Sequence, residues 1–299
     1  MGYLFIMLSV FAGVTKGFCG KRISSYTEEF KSAAFSNLIR MIFCIAIGFL
    51  FVLFDGGLEK LVPNVDFIFV SALSGISTSA FVIFWLFAIR QGAYVLVDVF
   101  LTLGTLLSAL LSVLFYGAEF TAFDAVGFLM LIIASVILCS YSINIKRNGI
   151  TVAAMATLVL SAICNGISDF SKEIFNKELG DVYTASAFNF YTFLFSALVL
   201  FIIFLIPKST KSSRENIRTL TKRGVPYIAL MAVCLFLNSF FKTLAAKTLD
   251  MALISPLSQG AALILVTVMA SVFFGEKIKK RCIWGLIVAI GGLLIINFL

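Results

Sequence analysis

The chain has 299 residues, of which 61% are hydrophobic and only 13% are charged, and its formal net charge is +8. A soluble domain carries about 25% charged residues, so this composition excludes a soluble globular protein and indicates an integral membrane protein. The basic residues lie in short segments between apolar runs, which is typical of membrane topology and not of a nucleic-acid-binding surface.

Apolar runs long enough to cross a bilayer recur along the whole chain. The first run lacks the basic start and the cleavage site of a signal peptide, so we expect it to be retained as a helix. The longest polar segment, PKSTKSSRENIRTLTKRGVP, follows the seventh run and is predicted to be a loop. The ten predicted spans are residues 2–20, 32–54, 66–89, 93–116, 122–143, 151–171, 182–206, 225–246, 250–274 and 282–299.

Short motifs recur in the same order in the two halves of the chain, which indicates an internal duplication. The segment AIRQGAYVLVDV (88–99) aligns with AAKTLDMALISP (245–256), and SVLFYGAE (112–119) aligns with SVFFGE (271–276). In the first span of each half, SVFAGVTKG aligns with SAICNGISDF. The sequence therefore predicts two repeats of five spans each.

The predicted repeats are residues 1–147 and 148–299, which together form one membrane domain. Because five is an odd number, the second repeat enters the membrane from the opposite side. The predicted fold is therefore all-α, with ten transmembrane helices arranged as two inverted five-helix repeats. Most basic residues lie in the connections after spans 1, 3, 5, 7 and 9. This side is expected to be cytoplasmic, which places a multi-pass protein in the cytoplasmic (inner) membrane with both termini outside.

The last two spans run from MALISPLSQG through SVFFGEKI to WGLIVAIGGLLIINFL and are similar to the last two helices of the small multidrug-resistance proteins. With the five-plus-five layout and the YGAE motif of the first half, the whole chain resembles the EamA-like transporters of the drug/metabolite transporter (DMT) superfamily. The resemblance implies a secondary transporter with a central cavity between the halves. The small exporters have a membrane glutamate where GVTKGF carries Lys16, so their proton-for-cation exchange is not implied here.

Charged residues inside the spans are candidate site residues, because each costs about 2.5–3.5 kcal/mol at mid-bilayer on insertion scales. Lys16 and Asp169 align between the repeats, and we predict that they pair across the cavity; a purely structural bridge is the alternative. Asp169, Lys172 and Glu173 share one face of the sixth span, with Asn165 one turn earlier. Lys172 and Glu173 are interpreted as an ion pair at the membrane interface.

Arg40 is expected either to hold a substrate carboxylate or phosphate or to pair with Asp98. Asp98 alternatively complements the positive N-terminal end of the fourth span. Lys242 stands one turn from Asn238 and either lines the cavity or extends towards the membrane surface.

Aromatic and uncharged polar side chains complete the candidates. Phe81 and Trp85, one turn apart, either pack in the core or capture an amine through cation–π contacts. Ser255, just before Pro256, and Gln259 either reach the cavity or form hydrogen bonds between helices. The substrate-binding or coupling candidates are Lys16, Arg40, Phe81, Trp85, Asp98, Asn165, Asp169, Asn238, Lys242, Ser255 and Gln259.

The sequence favours a secondary active transporter of a small polar or charged organic metabolite, working by alternating access. A lipid or lipid-linked sugar flippase is the alternative and requires a groove open sideways to lipid. A membrane-embedded enzyme is disfavoured because the chain has no His. The predicted partners are a small solute, a coupling ion (proton or sodium) and membrane lipid, with no nucleic acid, and the protein is a monomer or homodimer.

No cofactor, metal or catalytic residue is predicted. The six cysteines are interpreted as small buried hydrophobic residues and not as disulfides or metal ligands.

Overall fold

The computed structural model describes residues 1–27, 29–91, 94–119, 121–143, 152–206, 210–274 and 280–298. For some positions inside the helices, including 88–91 and 94–99, it describes the backbone alone. All regular secondary structure in these ranges is helical. The helices are α1 (Gly2–Ile23), α2 (Phe30–Phe54), α3 (Val65–Gln91), α4 (Tyr94–Tyr116), α5 (Ala122–Ile143), α6 (Val152–Ile174), α7 (Ala185–Leu205), α8 (Lys211–Thr219), α9 (Val225–Ala245), α10 (Met251–Phe274) and α11 (Lys280–Phe298).

Each predicted span falls on one long helix, but the segment predicted to be a loop after α7 contains the short helix α8. The Thr210 side chain accepts a hydrogen bond from the backbone N–H of Ser213, and the Ser213 hydroxyl accepts one from the backbone N–H of Thr210. This reciprocal capping satisfies backbone donors at the helix start, which allows a nine-residue polar helix to form there.

The helices have the surface of a multi-pass membrane protein. Within the described residues, six helical stretches are long and apolar enough to cross a membrane, and shorter apolar stretches lie in α4, α5 and α11. Many large apolar side chains, such as Phe11, Ile42 and Phe69, are exposed, whereas many serines and threonines are buried. Small and polar side chains between helices and apolar ones outside are what packing in lipid favours.

The contacts between helices are repeated when each helix is replaced by the corresponding helix of the other half. In this exchange α1 to α5 correspond to α6, α7, α9, α10 and α11. Helix α1 packs against α9 and α10, and α6 packs correspondingly against α3 and α4. Corresponding helices also meet directly, because α2 packs against α7, α4 against α10 and α5 against α11. The two halves are therefore arranged about a pseudo-two-fold relation.

Glycines allow the closest of these crossings. Where α4 meets α6, a Cβ on Gly104 would overlap the carbonyl oxygen of Ala162, and a Cβ on Gly166 would overlap that of Gly104. Where α5 meets α11, a Cβ on Gly127 would lie 2.8 Å from the carbonyl oxygen of Gly292. The backbones approach too closely at these points for any larger residue.

The connections after α2, α6 and α9 lie on one face of the helix bundle. The Tyr183 hydroxyl donates to the carbonyl oxygen of Val62 at 3.3 Å, which joins the first two connections. The salt bridge between Lys177 and Asp250, at 2.8 Å, joins the connection after α6 to the start of α10.

The opposite face carries the connections after α1 and α7. The Thr210 hydroxyl, at the start of α8, donates to the Glu29 carboxylate, just before α2. This hydrogen bond lowers the pKa of Glu29. The basic connections after α1 and α7 therefore lie on the same face.

Three of the described cysteines are buried, as the sequence interpretation expects. Cys19, Cys44 and Cys234 are buried and Cys164 is half-buried, and all four are free thiols. The side chains of Cys139 and Cys282 lie outside the described part of the chain.

Candidate functional site

A small polar cavity lies between helices of both halves. Its volume is about 50 Å³, and α1, α3, α4, α6, α9 and α10 enclose it. Most of the candidates chosen from the sequence line its wall, and the polar or aromatic side chains there are Lys16, Phe81, Trp85, Asn165, Asn238, Lys242, Ser258 and Gln259. The volume has room for a few water molecules and not for an organic solute.

Lys16 brings a positive charge from α1 to the cavity wall. Its ammonium lies 5.2 Å from the ring centroids of both Phe81 and Trp85, which stand one turn apart on α3. Cation–π attraction at this distance stabilises a partly desolvated ammonium. The two rings therefore already face a cation of the protein.

Asp169 is the centre of a buried cluster that we call the lysine–aspartate triad, formed by Asp169, Lys172 and Lys242. The Nζ atom of Lys172 lies 2.9 Å from Oδ1 of Asp169, and that of Lys242 lies 2.7 Å from Oδ2. The exposed fractions of the three residues are only 3%, 4% and 7%. Charge-assisted hydrogen bonds of this length are strong in a low-dielectric interior.

The predicted Lys16–Asp169 pair is wrong, because Lys172 and Lys242 occupy both carboxylate oxygens of Asp169. The physical reason is the packing of the first helix of each half. Helix α1 lies along α9 and α10, whereas α6 lies along α3 and α4. Lys16 and Asp169 therefore belong to different clusters, and Lys242 turns inward to the cavity and not towards the membrane surface.

The predicted interfacial pair of Lys172 and Glu173 is also wrong, because both side chains are buried. Successive residues of a helix point about 100° apart, so these two face different neighbours. Glu173 accepts a hydrogen bond from the Ser112 hydroxyl of α4 at 2.8 Å, whereas Lys172 turns to Asp169.

The uncharged candidates divide between the cavity and the helix interfaces. The Asn238 amide donates to the carbonyl and hydroxyl oxygens of Ser9 at 2.8 and 2.9 Å, so it ties α9 to α1 at the cavity wall. Asn165 and Gln259 also line the cavity. Ser255 instead accepts from the Ser108 hydroxyl at 2.8 Å, a hydrogen bond between α4 and α10.

Arg40 is buried outside the cavity lining. Its Nη2 donates to the Asn37 side chain at 2.6 Å, and its guanidinium carbon lies 5.9 Å from the centroid of Trp85. Asp98 lies on α4, but its side chain is outside the described part of the structure. The Arg40–Asp98 pair therefore stays a prediction.

Sequence reasoning missed Lys172 as a partner of Asp169 and Ser258 as a cavity residue. The spacing of Asp169 and Lys172 at positions i and i+3 contains a signal for their pairing. Ser258 stands directly before Gln259 and resembles an ordinary helix-packing serine. Among the described residues there is no group of His, Cys, Asp or Glu side chains that could hold a metal.

Comparisons with known proteins place this geometry in context. The model of the EamA-like transporter family matches residues 1–140 and 150–298, one match in each half. No curated protein matches the sequence. One solved structure, described only as the crystal structure of a protein, has 16% identity and a TM-score of 0.71 over 99% of this chain and 96% of its own. At this identity the likeness shows the fold alone.

Proposed function

Because the chain belongs to the EamA-like transporter family of the DMT superfamily, we propose that it is a secondary active transporter. Its cargo is a small polar or charged organic metabolite that crosses the cytoplasmic membrane through the central cavity. The observation that carries this proposal is the cavity itself, where polar side chains from both halves converge inside an otherwise apolar bundle. Ionisable groups at membrane depth are expected along substrate or ion pathways.

The transport mechanism follows from ten membrane spans arranged as inverted repeats, residues 1–147 and 148–299. The matching helix contacts of the two halves support this arrangement. An odd number of spans in each repeat gives the two repeats opposite orientations. Cargo binds at the interface of the repeats, and rocking of one five-helix unit against the other opens the site to each side in turn. The small volume of the cavity is consistent with a conformation between these open states.

The driving force in this proposal is exchange or a proton or sodium gradient. The sequence contains no G-x-x-x-x-G-K-[ST] phosphate-binding loop. For proton coupling, the groups to examine are Asp98 and Asp169 with its lysine partners.

A lipid or lipid-linked sugar flippase is a second candidate, and one observation favours it. An apolar groove of about 730 Å³ lies between α1 and α10, lined by residues such as Phe11, Leu257 and Ala261. Val10 lines both this groove and the polar cavity. An amphiphile could therefore hold its chain in the groove and its head group at the cavity.

Uptake into proteoliposomes tests the leading proposal. Solutes that raise the thermal unfolding midpoint of the purified protein are first selected from a metabolite panel and then offered in radiolabelled form. We expect saturable uptake or exchange that falls at least tenfold in Lys16→Ala. The matched control is Lys177→Ala, which removes a half-exposed lysine that is not part of the cavity lining and should transport normally. Absence of transport for every stabilising solute contradicts the proposal.

The same vesicles separate the flippase from the solute transporter. Ala261→Trp fills the groove between α1 and α10 and lies outside the cavity lining. A flippase moves a fluorescent lipid between leaflets and loses this activity in the variant. A solute transporter moves no lipid and retains solute uptake when the groove is filled.

A further inference from the structure

The charges around the central cavity give information about its cargo. Both oxygens of Asp169 are bound by ammonium groups, Lys172 at 2.9 Å and Lys242 at 2.7 Å. A cationic cargo would have to displace one of these lysines to reach the carboxylate. The displaced ammonium would then remain buried beside another positive charge, which is strongly unfavourable at low dielectric.

The lysine–aspartate triad contains two basic groups and one acidic group, so one basic group is in excess. Glu173 does not balance this excess, because its carboxylate turns to Ser112 on α4. Of the triad, Lys242 is the member that lines the cavity. An anion beside Lys242 would offset the extra basic group of the triad.

The three members of the triad have different positions. Lys242, on α9, reaches the cavity wall, whereas Asp169 and Lys172 lie behind it on α6. Lys172 and Asp169 are three residues apart on one helix, so their contact does not depend on how α9 is placed. If Lys242 turns towards a ligand, Lys172 still compensates Asp169, and no carboxylate is left buried without a partner.

Building on the transport function proposed above, we propose that the cargo is a small organic anion whose acidic group replaces Asp169 as the partner of Lys242. Asp169 holds Lys242 in the resting state and competes with the anion for it. Lys172 is a positioning residue that keeps Asp169 neutralised during the exchange. The amide side chains of Asn165 and Gln259, which also line the cavity, supply further polar contacts.

Binding of solutes that share a carbon skeleton tests this assignment. Butanoate, 4-aminobutanoate and butylamine differ mainly in charge, and inorganic phosphate tests whether any oxyanion is sufficient. Thermal unfolding of the detergent-solubilised full chain is measured with each probe at the same concentrations and ionic strength. We expect butanoate to raise the midpoint more than butylamine does. Phosphate stabilising as well as butanoate would assign the site to oxyanions in general, and phosphate failing would assign it to carboxylates.

Substitutions of Lys242 and Asp169 are expected to change anion binding in opposite directions. Lys242→Met should weaken anion binding at least tenfold, and Lys242→Arg should largely restore it. Asp169→Asn should strengthen it, because the competitor for Lys242 is removed. A merely structural triad predicts instead that Lys242→Met and Asp169→Asn weaken binding alike. Lys177→Met, which breaks the exposed salt bridge to Asp250, should leave binding unchanged.

The proposal is overturned if butylamine stabilises as well as or better than butanoate, if no probe stabilises the wild type, or if Asp169→Asn weakens anion binding as Lys242→Met does. These outcomes are distinct from failure of the transport function. Uptake of a cationic solute into proteoliposomes would overturn the anion assignment and leave the transporter intact. Absence of uptake for solutes of every charge would contradict transport itself.

Discussion

Glu173 is a buried carboxylate with one side-chain hydrogen bond among the described residues. Its exposed fraction is 1%, Oε1 accepts from Ser112, and Oε2 accepts no hydrogen bond from the part of the chain that the structure describes. A buried ionised carboxylate with one hydrogen bond is costly, because little replaces its lost hydration. The residue therefore offers a direct test of how this bundle tolerates charge.

We predict that Glu173→Gln retains or raises the stability of the protein. The glutamine oxygen can still accept from Ser112, and the variant buries no charge. Ser112→Ala should lower the free energy of unfolding by about 1–3 kcal/mol, because it removes the side-chain hydrogen bond to a buried charged group. Thermal unfolding in detergent measures both effects.

The double variant is the control for this prediction. In the Glu173→Gln background, Ser112→Ala should cost less than it does in the wild type, because only a neutral hydrogen bond is lost. An equal loss in both backgrounds would show that Ser112 acts through packing alone.

At the same scale, the sequence predicted which residues are important better than it predicted their partners. Lys16, Asn238 and Lys242 were candidates because polar groups at membrane depth are expensive, and all three line the cavity. Alignment of the repeats suggested that Lys16 pairs with Asp169, but corresponding residues need not touch. The partner of Asp169 from another helix is Lys242, on α9 of the same half, and only the packing of α9 beside α6 reveals it.

At the scale of helices, the crossing of α4 and α6 depends on the absence of side chains at Gly104 and Gly166. We predict that Gly104→Ala lowers the unfolding midpoint and the yield of folded protein, because its Cβ would overlap the Ala162 carbonyl oxygen. Forcing such overlap typically costs about 1–3 kcal/mol. Fluorescence-detected size exclusion after heating measures the midpoint.

Gly291→Ala is the matched control for the Gly104 substitution. A Cβ at Gly291 would approach only the terminal methyl group of Met130, at 2.9 Å, and this flexible side chain can move aside. The control should unfold close to the wild-type midpoint. Equal losses in both variants would contradict the close-crossing explanation and point to a general cost of Cβ groups in these helices.

Hydropathy was sufficient to locate the long helices, because an apolar run of about 20 residues has few alternatives in a membrane. It did not locate α8, which is polar and depends on the local capping of Thr210 and Ser213. Nor did it predict the extension of α6 to Ile174. The charged residues at that end suggested a membrane interface, whereas Asp169, Lys172 and Glu173 are buried between helices.

At the scale of the whole molecule, the two faces of the helix bundle differ in charge. The connections after α1 and α7 are basic and are joined by the hydrogen bond between Glu29 and Thr210. The connections after α2, α6 and α9 meet on the other face. Basic segments are retained on the cytoplasmic side during insertion. This asymmetry predicts that α8 is cytoplasmic and that the turn after α2 is outside.

Single cysteines at two exposed positions test this orientation in a background without native cysteines. We predict that Glu59→Cys, after α2, reacts with a membrane-impermeant maleimide in intact cells, whereas Glu215→Cys, in α8, reacts only after permeabilisation. Both side chains are exposed in the fold, so a difference in labelling reports the side of the membrane and not burial. The reverse pattern would place the basic face outside and invert the direction from which cargo enters the cavity. Labelling of both positions in intact cells would mean that the chain inserts in two orientations, because each molecule holds its basic connections on a single face.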